Sequence, residues 1–339
     1  MKLFRWALSA ACLTLVAYVA RRVDWGITLA TMRRASLAPL VAATIANFLS
    51  VILRGARWWI FIRRAGDCSL ALAIRGAIVG SGLNNFLVAN GGEAARVLLV
   101  SRVSGSSRAT VLATLALDRA FDPLCFGLLL FMATFLIPLP AGLVALRGTV
   151  GTVLLTGGVF LIVLTRGSRR AEATIVTSGW RKHVFEFWAR VQSLASVRRF
   201  IAAFAASVGV WALQVAKLAL VAGALHLGLP VAGSVAAMLL INTGLLVRAT
   251  PGNIGYFQLA YALATSRFGV PTDAAVGAAM LIQAIEIVPV TIAALVLAPR
   301  LLRSPQHLTT THHEQPTTNN PLPATSAPSL DRQFAPGTA

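Results

Sequence analysis

Six apolar runs, at about residues 4–20, 37–53, 110–137, 149–165, 201–225 and 274–298, decide what this chain can fold into. Each reaches the roughly 17 to 25 residues a helix needs to cross a bilayer. A soluble fold would need polar side chains to coat its exterior, and these are too few: 57% of residues are apolar and 12% charged, against about 45–50% and 25% in soluble domains. With a mean hydropathy of +0.75, the expected fold is all-α and polytopic, with lipid solvating much of the surface.

The charge balance agrees. Thirty Lys plus Arg against eleven Asp plus Glu leave a net +19, but the basic residues flank apolar runs instead of forming a basic face interleaved with exposed aromatics. This is the positive-inside pattern, and nucleic acid is not an expected partner. The segment from Arg166 to Arg199 carries eight basic residues against Glu172 and Glu186. It should be cytoplasmic, with both termini and the cluster Arg54, Arg57, Arg63 and Arg64 on the same side of a plasma membrane. Arg21, Arg22, Arg33 and Arg34 fall on the other side in this scheme. Within 174–197, Trp180, Val184, Phe187, Trp188 and Val191 recur at helical spacing beside basic residues, as in a helix lying on a membrane surface.

Met1-Lys2 and Arg5 before an apolar stretch resemble a signal sequence, but no small-x-small site precedes Arg21-Arg22, so an uncleaved first helix is expected. Residues 1–303 should form the membrane domain, and the Thr-, Pro-, Asn- and Gln-rich tail, 304–339, should be disordered. Cys12, Cys68 and Cys125 are scattered among apolar residues, and the tail histidines lack metal-ligand spacing. No disulfide framework, metal site or cofactor is expected.

Two further apolar stretches, about 70–103 and 231–268, are interrupted by Asn90-Gly91-Gly92 and Pro251-Gly252-Asn253. Such breaks free backbone groups that lipid cannot satisfy, so these stretches should sit inside the protein or line a wet cavity, as broken or re-entrant segments. The expectation is therefore about eight hydrophobic segments, six spanning and two broken, in a possible inverted repeat.

Ionisable groups within spans are costly and point to function, with structural ion pairs as the alternative. Around the first break, Asn85 precedes the turn, and Glu93 and Arg96 stand at i, i+3, where they can pair or face a substrate. Asp118, Arg119 and Asp122 fall inside an apolar run: the acids share a face at i, i+4, and Arg119 reaches Asp122 at i, i+3. The second acid then requires another base, with Arg96 and Arg248 as candidates. Pro251, Gly252 and Gly255 shape the second break, just after Arg248. Gln283 and Glu286, before Pro289, form a weaker fourth place.

Taken together these motifs resemble the transmembrane domain family of lysylphosphatidylglycerol synthases, the flippase-like domain also found in multiple peptide resistance factors. The resemblance rests on Arg57-Trp58, Gly92-Glu93 with Arg96, Asp118-Arg119 with Asp122, and Pro251-Gly252 with Gly255, in matching order over about residues 3–300. Val88, Asn90 and Gln258 stand where the family usually carries Pro, Arg and Glu. The tail after Ser304 is too short and polar to be the soluble aminoacyl-transferring domain of the full synthase.

The resemblance implies translocation of a phospholipid or polyprenyl-linked headgroup through a polar groove. Arg96, Arg119 and Arg248 would meet its phosphate, and Glu93, Asp118 and Asp122 would balance the charge between substrates. A membrane-embedded transferase using Asp118 and Asp122 is the rival, although no Ser-His, His-Glu-x-x-His or phosphate-loop pattern accompanies them. A non-catalytic partner of an envelope-lipid synthase, docking through 174–197, is a third possibility.

Overall fold

In a computed structural model of the chain, the described residues are 21, 24–64, 66–85, 91–136, 146–167, 196–244 and 253–303. They form ten helices and no strand. These are α1 (Trp25–Arg33), α2 (Leu37–Ile62), α3 (Leu70–Asn84), α4 (Gly91–Ser104), α5 (Arg108–Leu136), α6 (Leu146–Gly167), α7 (Val197–Ala224), α8 (Val231–Gly244), α9 (Tyr256–Ser266) and α10 (Thr272–Arg303). The first apolar run, the amphipathic segment 174–197 up to residue 195, and the tail lie outside the described residues.

Among the described residues, three helices are long and apolar enough to cross a membrane: Leu37–Ile62, Val197–Ala224 and Thr272–Pro299. At 1.5 Å per residue the 26 residues of α2 extend about 39 Å, beyond a hydrocarbon core of roughly 30 Å. Both interrupted stretches are pairs of short helices, α3 with α4 and α8 with α9, separated at residues 86–90 and 245–252, which lie outside the described set.

The distribution of side chains inverts that of a soluble bundle. On α2, Leu37, Val41, Ile45, Leu49 and Ile52 recur every three or four residues and all face outward, whereas Asn47, Ser50 and Arg57 face inward. Ile45 is 61% exposed and Asn47 only 2%. The same holds for α7, where Ile201 and Val208 are exposed while Ser207, Gln214 and Lys217 are buried. In water this arrangement would expose the apolar stripes and bury groups that water solvates. With lipid outside, each side chain meets a compatible medium.

Where the charged cluster begins, the structure departs from the run-length reading. An apolar run ending at residue 53 implied that Arg54 and Arg57 lie with Arg63 and Arg64 at a membrane face. Instead α2 continues through both to Ile62, and Arg57 is 1% exposed in the interior.

The longest interface joins α2 to α7. α3 lies against α2, α4 and α10, and α9 packs between α8 and α10. An aromatic knot of Phe61, Phe121 and Phe200, with centroids 5.6–6.2 Å apart, ties α2, α5 and α7 together below the charged cluster. α3 and α4 approach so closely that a Cβ on Gly92 would overlap the Gly80 carbonyl oxygen. Only glycine fits there.

Two interior prolines open the backbone ladder beside the site. A proline cannot donate to the carbonyl four residues earlier. Pro123 thus frees the Arg119 carbonyl, and Pro289 that of Ile285. The second is answered across the bundle, because Asn47 Nδ2 donates to the Ile285 oxygen at 3.2 Å. The proline break and the asparagine on α2 together lock α10 against α2.

Candidate functional site

Arg57, on the inner face of α2, organises the buried charges. Its Nε donates to Asp118 Oδ1 at 2.7 Å and its Nη2 to Asp118 Oδ2 at 3.2 Å, a bidentate fork. Its Nη1 donates to Asp122 Oδ1 and to Ser207 Oγ, both at 2.8 Å. The i, i+4 spacing that put both acids on one face of α5 lets one guanidinium bridge them. The base that the second acid requires is therefore Arg57, and not Arg96. Arg248, the other candidate, lies outside the described residues, as do Pro251 and Gly252.

From Asp122 the network continues. Arg119 Nη1 donates to Asp122 Oδ2 at 3.0 Å, the i, i+3 contact expected from the sequence, and Arg119 also forms an ion pair with Glu93. Asp118, Arg57, Asp122, Arg119 and Glu93 thus make one alternating chain across α5, α2 and α4. The pairing of Glu93 with Arg96 does not form, because Arg119 takes the carboxylate. Arg96 turns the other way, with its guanidinium 3.8 Å from the centroid of the Trp58 ring. It is 4% exposed, and its Nε and Nη2 have no hydrogen-bond partner. Trp58 is itself fixed by donation from Nε1 to Thr114 Oγ1 at 3.1 Å.

The start of α4 is held by Asn84, whose Oδ1 accepts the Gly92 N–H at 2.8 Å. Asn85 reaches away from the ions: its Nδ2 donates to Thr291 Oγ1 on α10 at 3.0 Å, tying the first break to the last helix. At the second break Gly255 has φ +89°, a conformation natural only to glycine. Its N–H donates to Gln258 Oε1, and Gln258 Nε2 donates to Gln283 Oε1, both at 2.7 Å. Gln258, standing where the resemblance leads one to expect Glu, makes a neutral bridge between α9 and α10.

An ion pair separate from this chain, between Lys217 and Glu286, went unnoticed in the sequence. Lys217 of α7 is 1% exposed, and its Nζ donates to Gln214 Oε1 at 2.7 Å, Glu286 Oε2 at 3.2 Å and Asn47 Oδ1 at 3.5 Å. Gln214 Nε2 donates onward to Ser50 Oγ at 2.8 Å. The signal was present: Lys217 is the one ion inside the apolar run 201–225, with Gln214 one turn before it.

These groups surround a polar cavity of about 370 Å³. Three cations, Arg54, Arg119 and Lys217, and three carboxylates, Glu93, Asp122 and Glu286, line it among the described residues. Residues of both interrupted stretches reach it, Asn84, Asn85 and Glu93 from the first and Asn242 and Asn253 from the second. The result is a wettable space of both charge signs inside an apolar bundle, with ionic partners that an incoming charged group can exchange.

The chain matches the family described as the lysylphosphatidylglycerol synthase TM region over residues 3–294. No curated protein matches it.

Proposed function

Because this chain belongs to the family of the lysylphosphatidylglycerol synthase TM region, a family of membrane proteins concerned with lipid headgroups, we propose that it translocates the headgroup of a phospholipid or polyprenyl-linked lipid across the plasma membrane. The observation that carries this reading is the polar cavity reached by both interrupted stretches. A headgroup crossing a bilayer needs a path on which its charge is never left in hydrocarbon, and broken helices that meet at a shared polar space supply one.

With three lining charges of each sign among the described residues, the cavity lining is balanced. A phosphate can displace a carboxylate from Arg119, and a cationic headgroup group can be received by Glu93 or Asp122. The proposal takes residues 1–303 as the membrane domain, with six spans and two broken segments related as inverted repeats. The tail 304–339 is separate. Both termini and the 166–199 segment are cytoplasmic, and an envelope-lipid synthase is the natural partner.

The test is reconstitution of the purified chain into vesicles with a panel of anionic, zwitterionic and cationic lipids, followed by the rate at which labelled headgroups change leaflet. Acceleration for at least one headgroup class over protein-free vesicles is expected. No acceleration for any, together with product formation that depends on an added donor, would replace translocation by a transferase activity.

A further inference from the structure

Helix α7 separates two unlike spaces. Gln214, Lys217 and Leu218 face the polar cavity, while Val208, Ala212, Val215, Ala219 and Gly223 line a second space on its other side. This second space is a groove of about 870 Å³ between α5, α7 and α8, lined by apolar side chains apart from the Cys125 thiol. It falls in the range of about 300–1,000 Å³ typical of ligand sites. Its depth follows from Ala212, Ala216, Ala219 and Gly223, which recur every three or four residues on α7 and leave that strip without side-chain bulk. Met132, Val208 and Val231 at its rim are 43%, 43% and 66% exposed, so the groove opens on the outer apolar surface.

The two spaces share one residue. Trp211 lines both, its ring held against Phe126 at a centroid distance of 5.9 Å. On the polar side of this partition the cations are not equivalent. Arg119 is engaged by Glu93 and Asp122, and Lys217 by Glu286. The Arg54 side chain, one turn before Arg57 on α2, makes no hydrogen bond or ion pair among the described residues, although the acids Asp122 and Glu286 and the cations Arg119 and Arg57 are near enough to act on it electrostatically. A guanidinium keeps its charge in such a place, and its planar fork fits a phosphate oxygen pair.

We infer that the groove and the cavity form one amphiphile site: the phosphate of a single-phosphate lipid sits on Arg54, and one of its hydrocarbon tails lies in the groove beyond Trp211. This rests on the headgroup reading above and extends it with a phosphate contact and a tail seat. The groove offers almost no hydrogen-bonding surface to a polar ligand, and its mouth opens where lipid tails already are. A helix of another protein seated there would fill the groove but make no use of Arg54.

The test uses the full chain in lipid nanodiscs, with phosphatidylglycerol bearing a photoreactive diazirine in one acyl chain, and identification of the labelled peptides. Label is expected within 128–132 of α5 and 208–223 of α7. It should fall at least tenfold in Arg54→Gln and in Ala216→Phe, and be largely retained in Arg54→Lys. Diacylglycerol carrying the same diazirine should label at least tenfold less, and free inorganic phosphate should not compete. Equal labelling by diacylglycerol, unchanged labelling in Arg54→Gln with an unaltered unfolding transition, or labelling elsewhere on the surface would overturn the proposal. So would competition by free phosphate, or a groove that labels only after a partner protein is removed. A wild-type chain that labels as expected yet moves no lipid would refute translocation and leave this site standing.

Discussion

Replacing Arg57 by Gln removes the centre of the buried ionic chain, and its cost can be worked from the geometry. The arginine side chain is fully buried and donates four hydrogen bonds to Asp118, Asp122 and Ser207. Asp122 keeps Arg119 at 3.0 Å and borders the cavity, so it is left partnered and partly wet. Asp118, with a side chain 2% exposed, is left with no cation in contact among the described residues. Breaking a buried pair in this way costs about 3 to 5 kcal/mol, because the remaining charge is uncompensated. Asp118→Asn is milder, about 1.5 to 3 kcal/mol, since Arg57 retains Asp122, and Asp122→Asn at the cavity edge should cost about 1 kcal/mol. The double variant Arg57→Met with Asp118→Leu removes both stranded groups and should be within about 2 kcal/mol of wild type. Denaturant-induced unfolding of the purified protein in micelles, followed by tryptophan fluorescence, reads all four. An Arg57→Gln protein no less stable than Asp122→Asn, or a double variant less stable than Arg57→Gln alone, would refute this accounting.

Further outcomes follow from the same structure. Glu286→Gln strands the buried ammonium of Lys217, whereas Lys217→Met leaves a carboxylate already 44% exposed at the cavity; the first should destabilise by about 2 kcal/mol more than the second in the same unfolding assay. Gly92→Ala brings a Cβ against the Gly80 carbonyl and Asn84 and should cost about 1 to 3 kcal/mol by forcing α3 and α4 apart, measured in the same way. Single cysteines at Ser178 and Ser304 should react with a membrane-impermeant maleimide only after the cytoplasmic side is opened, and external labelling would reverse the topology. Native Cys68 should contribute little background, because it is buried and burial pushes its thiol up to about 11, so that scarcely any reactive thiolate is present at neutral pH.

Much of the architecture was legible because lipid imposes simple rules. Run length and glycine breaks marked the all-helical class and the two interrupted stretches, and the spacing of Asp118, Arg119 and Asp122 gave the i, i+3 ion pair. The partners across the bundle were not legible. Arg57 meets Asp118 over a sequence separation of 61, and no local pattern encodes that distance. Reading Arg54 and Arg57 as flanks of a span also failed, because a basic residue facing the interior of the bundle need not interrupt a helix. Glu93 and Arg96 have ideal spacing for pairing but find better partners in Arg119 and the face of Trp58. The proline at 289 was visible, but the asparagine that answers it lies on another helix.

The central claim, that the cavity carries headgroups by exchanging its own ion pairs, is tested most directly by Arg119→Gln combined with Asp122→Asn in a vesicle translocation assay. The double change removes one charge of each sign, keeps the shape of the Asp122 side chain, leaves Glu93 at the cavity edge without its arginine, and leaves the fork between Arg57 and Asp118 in place. The account predicts a protein that inserts and unfolds within about 2 kcal/mol of wild type but moves labelled lipid at least a hundredfold more slowly. Wild-type rates from that protein, at matched reconstitution and stability, would contradict the account and reduce the cluster to structural pairing.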